Sequence, residues 1–337
     1  IVQILKLTSK FMDSCINDDR QFGDHETQES EVEADLYRHF VSCKKNPDHR
    51  EFIPIDKFTL KDLPESHQDI DLYEYIKATA DLTVRVNVEK ISPNRPQFWP
   101  ETSRPYPYYS MYGSSKTRTG SGRVWFVTKF HNGERKDGYF TGHTEYTKCW
   151  CLNCYNSKTP SHLWWEFNVD TATHVVFDNF EANNTSLRFF YNREENPVVS
   201  VKKIALDYKN IEHDWCRLKC VTCDEMLGNK LMQIEKLYKQ VCEKVRDKNI
   251  NSRDNYKLNF IVSHPHGCAK HISIGQWKDK EKIGYRTMFT YTTSTCPGSS
   301  GAFVYCLGYN ERWGWADLFH TGTLQSGLNH SGFGFVL

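Results

Sequence analysis

Among the residues able to do chemistry, one serine stands between two glycines: Tyr291-Thr292-Thr293-Ser294-Thr295-Cys296-Pro297-Gly298-Ser299-Ser300-Gly301, with the apolar run Ala302-Phe303-Val304 directly behind it. A serine nucleophile needs a tight turn that lifts its Oγ into a cleft. It also needs backbone N–H groups aimed at the carbonyl oxygen that takes up negative charge. A glycine two residues before the serine permits the backbone conformation of such a hole. A glycine just after it lets a substrate carbonyl approach without a Cβ in the way. Gly298 and Gly301 meet these two demands around Ser300. The competing reading is an ordinary Gly/Ser hairpin turn. A second set of candidates is thiol-based. Cys149, Cys151 and Cys154 form one tight cluster, and Cys216, Cys220 and Cys223 form another, among twelve cysteines. The pairs Cys151/Cys154 and Cys220/Cys223 suit a structural thiolate zinc site if the two clusters meet. The same spacing also suits reduced core thiols or local disulfides. Zinc is thus one reading of the cysteines, whereas the serine chemistry requires no cofactor and no metal.

The pattern Tyr-x-Thr-x-Thr-x-x-Gly-x-Ser-Gly, with a strand after it, resembles the nucleophile loop of trypsin-like serine proteases. In motif style it is nearest to the glutamyl endopeptidases and the high-temperature-requirement proteases. The resemblance implies that Ser300 is the nucleophile and that Gly298 and Ser300 supply the oxyanion N–H groups. It implies further that His174, in Thr171-Ala172-Thr173-His174 after an apolar run at 163–169, is the general base. The segment Asp214-Trp215-Cys216-Arg217-Leu218-Lys219 is similar to the family's Asp-x-Ala-x-Leu-Lys, which makes Asp214 the residue that orients His174. The three follow one another in the His…Asp…Ser order of the chymotrypsin class. Residues 261–270, with His264-Pro265-His266-Gly267, resemble a turn that opens the second barrel in relatives. His320, in Leu318-Phe319-His320-Thr321-Gly322, stands where glutamyl-type relatives place a histidine that binds an acidic or amide P1 side chain. The alternative for His320 is plain packing, and His330 is a second candidate for the same place. Ser294 and Thr295 stand before Cys296, where trypsin-type enzymes carry an acid, so a basic P1 is disfavoured.

Two departures from the secreted branch of the family follow. Ile1-Val2 resembles an activated trypsin N-terminus, but Ser299 replaces the aspartate that such an ammonium pairs with. Val175 follows His174, so the disulfide usual beside the histidine has no match. Both departures lean toward the intracellular branch. The resemblance covers roughly residues 119–335 and leaves 1–118 outside it.

The elements expected to position these groups are mostly strands. Alternation or apolar runs mark 82–88, 124–130, 163–169, 186–191, 198–206, 259–263, 284–290 and 301–307. One helix is expected at 229–247, where Leu231, Ile234, Leu237, Val241 and Val245 recur at three- and four-residue steps. A short helix is expected at 32–44, with Val32, Leu36, Phe40 and Val41 on one side. The acidic residues 13–35 read as a solvated segment. Residues 45–80 read as turns with short apolar pieces, and 92–118 as an irregular connection ending at Thr119-Gly120-Ser121-Gly122. The expected fold is mainly β: two packed, six-stranded-type, chymotrypsin-like barrels with an inter-barrel helix and an extra N-terminal α/β region. Its divisions are 1–118 (an extension with a regulatory role), 119–228 (first barrel with a Cys-rich insertion), 229–250 (linker helix) and 251–337 (second barrel).

The bulk properties fit a folded, aromatic-rich chain: 337 residues, 39% hydrophobic, 14% aromatic and a net charge of +1. No basic stripe favours nucleic acid, which weighs against a zinc-dependent nucleic-acid module. No apolar run approaches the about 18 residues that span a bilayer, so no membrane partner is expected. The leading function is a serine endopeptidase with a peptide or protein substrate. The alternative is a catalytically silent, protease-like binding or scaffold protein. The two differ in whether the Gly298 N–H points into the cleft with His174 within hydrogen-bond reach of Ser300.

Overall fold

In the computed structural model of the chain, residues 22–114, 116–136, 144–309 and 318–336 are described. The first sheet gathers β2 (Gln28–Ser30), β4 (Thr83–Val88), β5 (Thr117–His131), β6 (Glu134–Arg135), β7 (Leu163–Thr171), β8 (Thr185–Phe189), β9 (Val199–Val201), β10 (Ile204–Asn210) and β11 (Trp215–Thr222). Its order is β10-β11-β7-β5-β4-β8-β9, with β2 and β6 added on β5. The second sheet gathers β1 (Phe22–His25), β3 (Ile53–Pro54), β12 (Leu258–Ser263), β13 (His271–Ile283), β14 (Arg286–Tyr291), β15 (Val304–Cys306), β16 (His320–Leu324) and β17 (Asn329–Ser331). Its order is β1-β16-β17-β14-β13-β12-β15, with β3 on β13. Every pairing is antiparallel and both sheets curl. This is a mainly β, two-barrel, chymotrypsin-like architecture.

Among the described residues three helices longer than two turns accompany the sheets: α1 (Glu33–Val41), α2 (Ile70–Leu82) and α3 (Glu225–Asn249). α3 starts where Asp224 caps the N–H groups of Met226 and Leu227, and it buries the stripe Leu231, Ile234, Tyr238, Val241 and Val245. It packs on α2, where the hydroxyls of Tyr75 and Tyr238 meet at 3.1 Å. A Cβ at Gly228 would lie 2.2 Å from the Trp165 ring, so glycine lets the helix close onto β7. Val84, Val86 and Val88 are fully buried in the shared apolar core.

Several local expectations change. The stretch 119–122 is not the end of a loop but the first half of the long strand β5. Gly120 and Gly122 are there for space, since a Cβ would press on Val175 and Val169 at 2.8 and 2.9 Å. Residues 70–80, read as turns and apolar pieces, belong to α2, capped by Asp69 through the N–H groups of Asp71 and Leu72, and Leu82, read as the start of a strand, ends that helix. In α1, Leu36 is buried while Val32 and Val41 lie mostly exposed, so the expected apolar side is only partly used. The acidic segment is not solvated throughout: Glu26, Thr27, Gln28 and Ser30 are buried. Residues before 119 supply strands to both sheets, and Arg85 of β4 makes a two-pronged pair with Glu33 of α1 at 2.6 and 2.7 Å. Ile1-Val2 lie outside the described residues. Among the described residues no helix is long and apolar enough to cross a membrane.

Candidate active site

The loop that carries Ser300 follows β14 and is shaped by its glycines. Gly298 has φ +99°, and a Cβ there would fall 2.4 Å from the His264 carbonyl. Gly301 has φ +81°, and its Cβ would collide with Thr171 Oγ1 at 2.1 Å. The loop is tied down on both sides. Ser121 Oγ donates to the Gly298 carbonyl at 2.9 Å, and the His264 N–H donates to Ser121 Oγ at 3.0 Å. Ser299, in place of an ion-pairing acid, exchanges a hydroxyl hydrogen bond with Ser263 at 3.0 Å. The 264–267 turn thus supports the loop from beneath.

Ser300, His174 and Asp214 come together as one hydrogen-bonded chain. Ser300 Oγ lies 2.7 Å from His174 Nε2, and His174 Nδ1 lies 2.7 Å from Asp214 Oδ2. The remaining Asp214 oxygen accepts from Thr173 Oγ1 at 2.8 Å and from the His174 N–H at 3.0 Å. Burial alone would raise the Asp214 carboxyl, but His174 and these donors hold it below its ordinary value. So Asp214 favours its anionic form beside His174 Nδ1, while Nε2 on the other side of the ring faces Ser300 Oγ. His174 sits just after β7 on a turn held by a buried ion cluster. Glu181 accepts from Arg95 Nε at 2.8 Å and pairs with Arg118 at 2.9 Å, while Arg95 donates to the His174 carbonyl at 3.1 Å.

The cleft is filled by the chain itself. The Glu26 carbonyl oxygen accepts from the Gly298 N–H at 2.5 Å and from the Ser300 N–H at 3.3 Å. Two N–H groups converging on one carbonyl oxygen beside a serine hydroxyl have the geometry of an oxyanion hole. The Gly298 N–H therefore points into the cleft and the loop is not collapsed. Ser300 and His174 are fully buried as a result. The Glu26 carboxylate meets His320 Nε2 at 2.6 Å, Thr323 Oγ1 at 3.3 Å and the Lys45 ammonium. Lys45 is in turn held by Asn329 Oδ1 at 2.9 Å and Thr295 Oγ1 at 3.1 Å. Tyr291 Oη lies 2.7 Å from His320 Nδ1, which orients the ring so that Nε2 faces the carboxylate. Burial opposes the charge on Glu26, but His320 and Lys45 hold its carboxyl far below the ordinary range. His320 is thus in contact with an acidic side chain. His330 is buried nearby with Nδ1 toward the Ser331 carbonyl at 3.2 Å.

Glu26, Lys45 and Thr323 escaped the sequence reading. Glu26 stands in an acidic stretch like its neighbours, and nothing local distinguishes it. Lys45 approaches Thr295 from a segment with no resemblance to guide it.

The cysteines group differently from the expected sets. Cys149, Cys151 and Cys154 are joined by Cys223, with all four sulfurs within 4.8 Å of one another. Cys216 and Cys220 stay in the barrel core on β11, fully buried. The reason is strand alternation: residues 216, 218 and 220 share the inner face, and Cys223 lies past the end of β11 on the opposite parity. A second group, Cys43, His49, His266 and Cys296, also has its ligand atoms within 4.8 Å.

No family model and no curated protein matches the chain. Among solved structures it is similar to the HtrA-type protease AlgW with tripeptide, at TM-score 0.38 and 9% identity, over 77% of this chain and 58% of that one. It is similar as well to the thermostable serine protease AL20 from an extremophilic microorganism, at TM-score 0.34 and 12% identity, over 77% of this chain and 92% of that one. The chain spans about three fifths of the length of the AlgW structures, at 58% and 62% of two of them.

Proposed function

We propose that the chain is a serine endopeptidase acting on peptide or protein substrates through an acyl-enzyme, with Ser300 as nucleophile, His174 as base and then acid, and Asp214 as its orienter. The observation that carries this is the Glu26 carbonyl oxygen lying between the N–H groups of Gly298 and Ser300 while Ser300 Oγ is hydrogen-bonded to His174. In such a site His174 Nε2 takes the hydroxyl proton as Oγ attacks the carbonyl carbon. The two N–H groups receive the charge on oxygen. The imidazolium, paired with Asp214, then returns the proton to the leaving amine. Hydrolysis of the ester by water repeats the sequence with water as nucleophile. The histidine–lysine pair around the Glu26 carboxylate favours an acidic P1 side chain.

The test compares the wild-type chain with Ser300→Ala for casein hydrolysis and for covalent capture by a fluorophosphonate, read by intact mass. Hydrolysis or capture at Ser300 in the wild type, lost in the variant, is the expected result. A folded wild-type chain showing neither overturns the reading. One observation favours a second reading, a silent protease-like protein: the cleft is shut by residues 22–30. In that case the segment stays in place, and no substrate is turned over.

A further inference from the structure

We propose that the chain is its own first substrate, and that Ser300 cuts the bond between Glu26 and Thr27 within the same molecule. This rests on the serine-endopeptidase reading above. Residues 22–30 cross the cleft as an extended strand that changes barrels at the nucleophile. Before the bond, β1 pairs antiparallel with β16, with Phe22 opposite Leu324 and His25 opposite Gly322. After the bond, β2 pairs antiparallel with β5, with Gln28 opposite Thr119 and Ser30 opposite Thr117. Between them the Glu26 carbonyl lies in the two-N–H hole and its side chain fills the histidine–lysine pocket.

The neighbouring subsites are also filled. The His25 ring packs at 4.6 Å from the His174 ring and 5.3 Å from Trp99, and Arg104 reaches His25 Nε2 at 2.9 Å. Gln28 Oε1 lies 2.8 Å from His266 Nδ1, and Tyr108 O–H donates to the Thr27 carbonyl at 3.3 Å. Strand pairing on both sides, an occupied hole and a charge-matched pocket are what a peptide poised for attack requires. In the step, Ser300 Oγ bonds to the Glu26 carbonyl carbon as the Glu26–Thr27 C–N bond breaks. The Ser300 proton passes through His174 to the Thr27 nitrogen. Water then releases Glu26 as a free carboxylate and restores Ser300. The products are a segment ending at Glu26 and a chain beginning at Thr27.

The experiment follows the full chain by intact mass and N-terminal sequencing over time and over a range of protein concentrations. The wild type is expected to yield a new N-terminus at Thr27 at a rate independent of concentration, and Ser300→Ala is expected to remain whole. Glu26→Gln is expected to slow the cut about 10- to 100-fold, as the charge-assisted contacts to His320 and Lys45 are lost. A wild-type chain that hydrolyses casein yet keeps the bond intact overturns this inference alone. A chain that does neither overturns the endopeptidase reading with it. A cut that persists in Ser300→Ala shows another protease at work and also overturns the inference.

A separate observation carries a second inference. The geometry points to zinc on both tetrads, Cys149/Cys151/Cys154/Cys223 and Cys43/His49/His266/Cys296. In the first, Cys151 and Cys154 sulfurs lie 3.5 and 3.6 Å from that of Cys223. In the second, Cys43 and Cys296 sulfurs are 3.6 Å apart and His49 Nε2 is 3.4 Å from Cys296. A tetrahedron with Zn–S near 2.3 Å has S–S edges of about 3.8 Å, whereas a disulfide is far shorter. Backbone N–H groups point at the sulfurs, from Cys151 to Cys149, Ser161 to Cys154 and Asn46 to Cys43, at 3.3 to 3.4 Å. His266 uses Nδ1 on Gln28 and keeps a buried Nε2 with no hydrogen-bond partner among the described residues, the arrangement of a ligating imidazole.

Elemental analysis of full-length Ser300→Ala, purified without chelator, is expected to find about two zinc ions per chain. Adding Cys223→Ser or Cys43→Ser is expected to remove one each. A zinc content unchanged by either variant overturns the corresponding tetrad. Zinc-free protein with freely titrating thiols overturns both.

Discussion

Gly298 shows how narrowly the site is specified at the level of single residues. Its φ of +99° suits glycine, and a Cβ would press on the His264 carbonyl and on the N–H groups of Gly267 and His266 at 2.4, 2.8 and 2.9 Å. Gly298→Ala must therefore turn the peptide and withdraw its N–H from the carbonyl oxygen. Losing one such donor lowers kcat by about 100- to 1000-fold. The expected outcome is that drop in casein hydrolysis by the folded variant, together with a lowered melting temperature from the backbone clash. Unchanged kcat would place the hole elsewhere. The groups of this chain were legible because each carries a local pattern: glycines around Ser300, Thr-Ala before His174, a strand after Asp214. Glu26 and Lys45 had no such pattern. They reach the site only because the chain before residue 119 is woven into both barrels, and a long-range contact of that kind leaves no periodicity in the sequence.

At the scale of elements, the turn after β7 that carries His174 is held by charge as well as by the apolar packing of Ala172, Val175 and Val176. Glu181 is fully buried between Arg95 and Arg118, and it also accepts the N–H groups of Ser92 and Phe177 at 2.9 and 2.8 Å. Burial opposes its charge, but the two arginines keep its carboxyl below the ordinary range. Glu181→Ala would leave two guanidiniums buried without their anion, a change that costs about 3–5 kcal/mol. A urea titration of this variant should show that loss, together with weaker turnover, because Arg95 also holds the His174 carbonyl. A loss under about 1 kcal/mol would mean that water reaches the arginines. The strands themselves were mostly legible, since β alternation is local. The exceptions are instructive. The glycines of 119–122 look like a turn but mark places where β5 touches Val175 and Val169. The helix α2 does carry a polar side, Asp71, Glu74, Lys77 and Asp81 at three- and four-residue steps, but the Tyr, Ala and Thr between them are not strongly apolar and blur the contrast that marks a helix.

For the whole molecule, the two barrels close over histidines that are kept neutral. Burial, with Arg286 nearby, lowers His213 from 6.5 to about 4, and burial lowers His330 to about 3. Below an unfolded pKa of about 6.5 the unfolded chain binds protons that these folded-state imidazoles refuse. Unfolding free energy therefore falls as pH drops from 6.5, and this contribution levels off near the folded values of 4 and 3. The carboxylates of Asp214 and Glu181, held below their ordinary values, act lower down: their stabilisation is present above about pH 4 and is lost as they protonate. The two windows adjoin, so acid destabilisation should be continuous from pH 6.5 downward rather than a single step. Measured as urea midpoints of Ser300→Ala, so that self-cleavage does not intrude, stability should decline between pH 6.5 and 4. His213→Gln should flatten part of that slope. A midpoint constant from pH 7 to 5 would mean that these imidazoles take up protons within the fold, and that the barrels admit water where burial now excludes it.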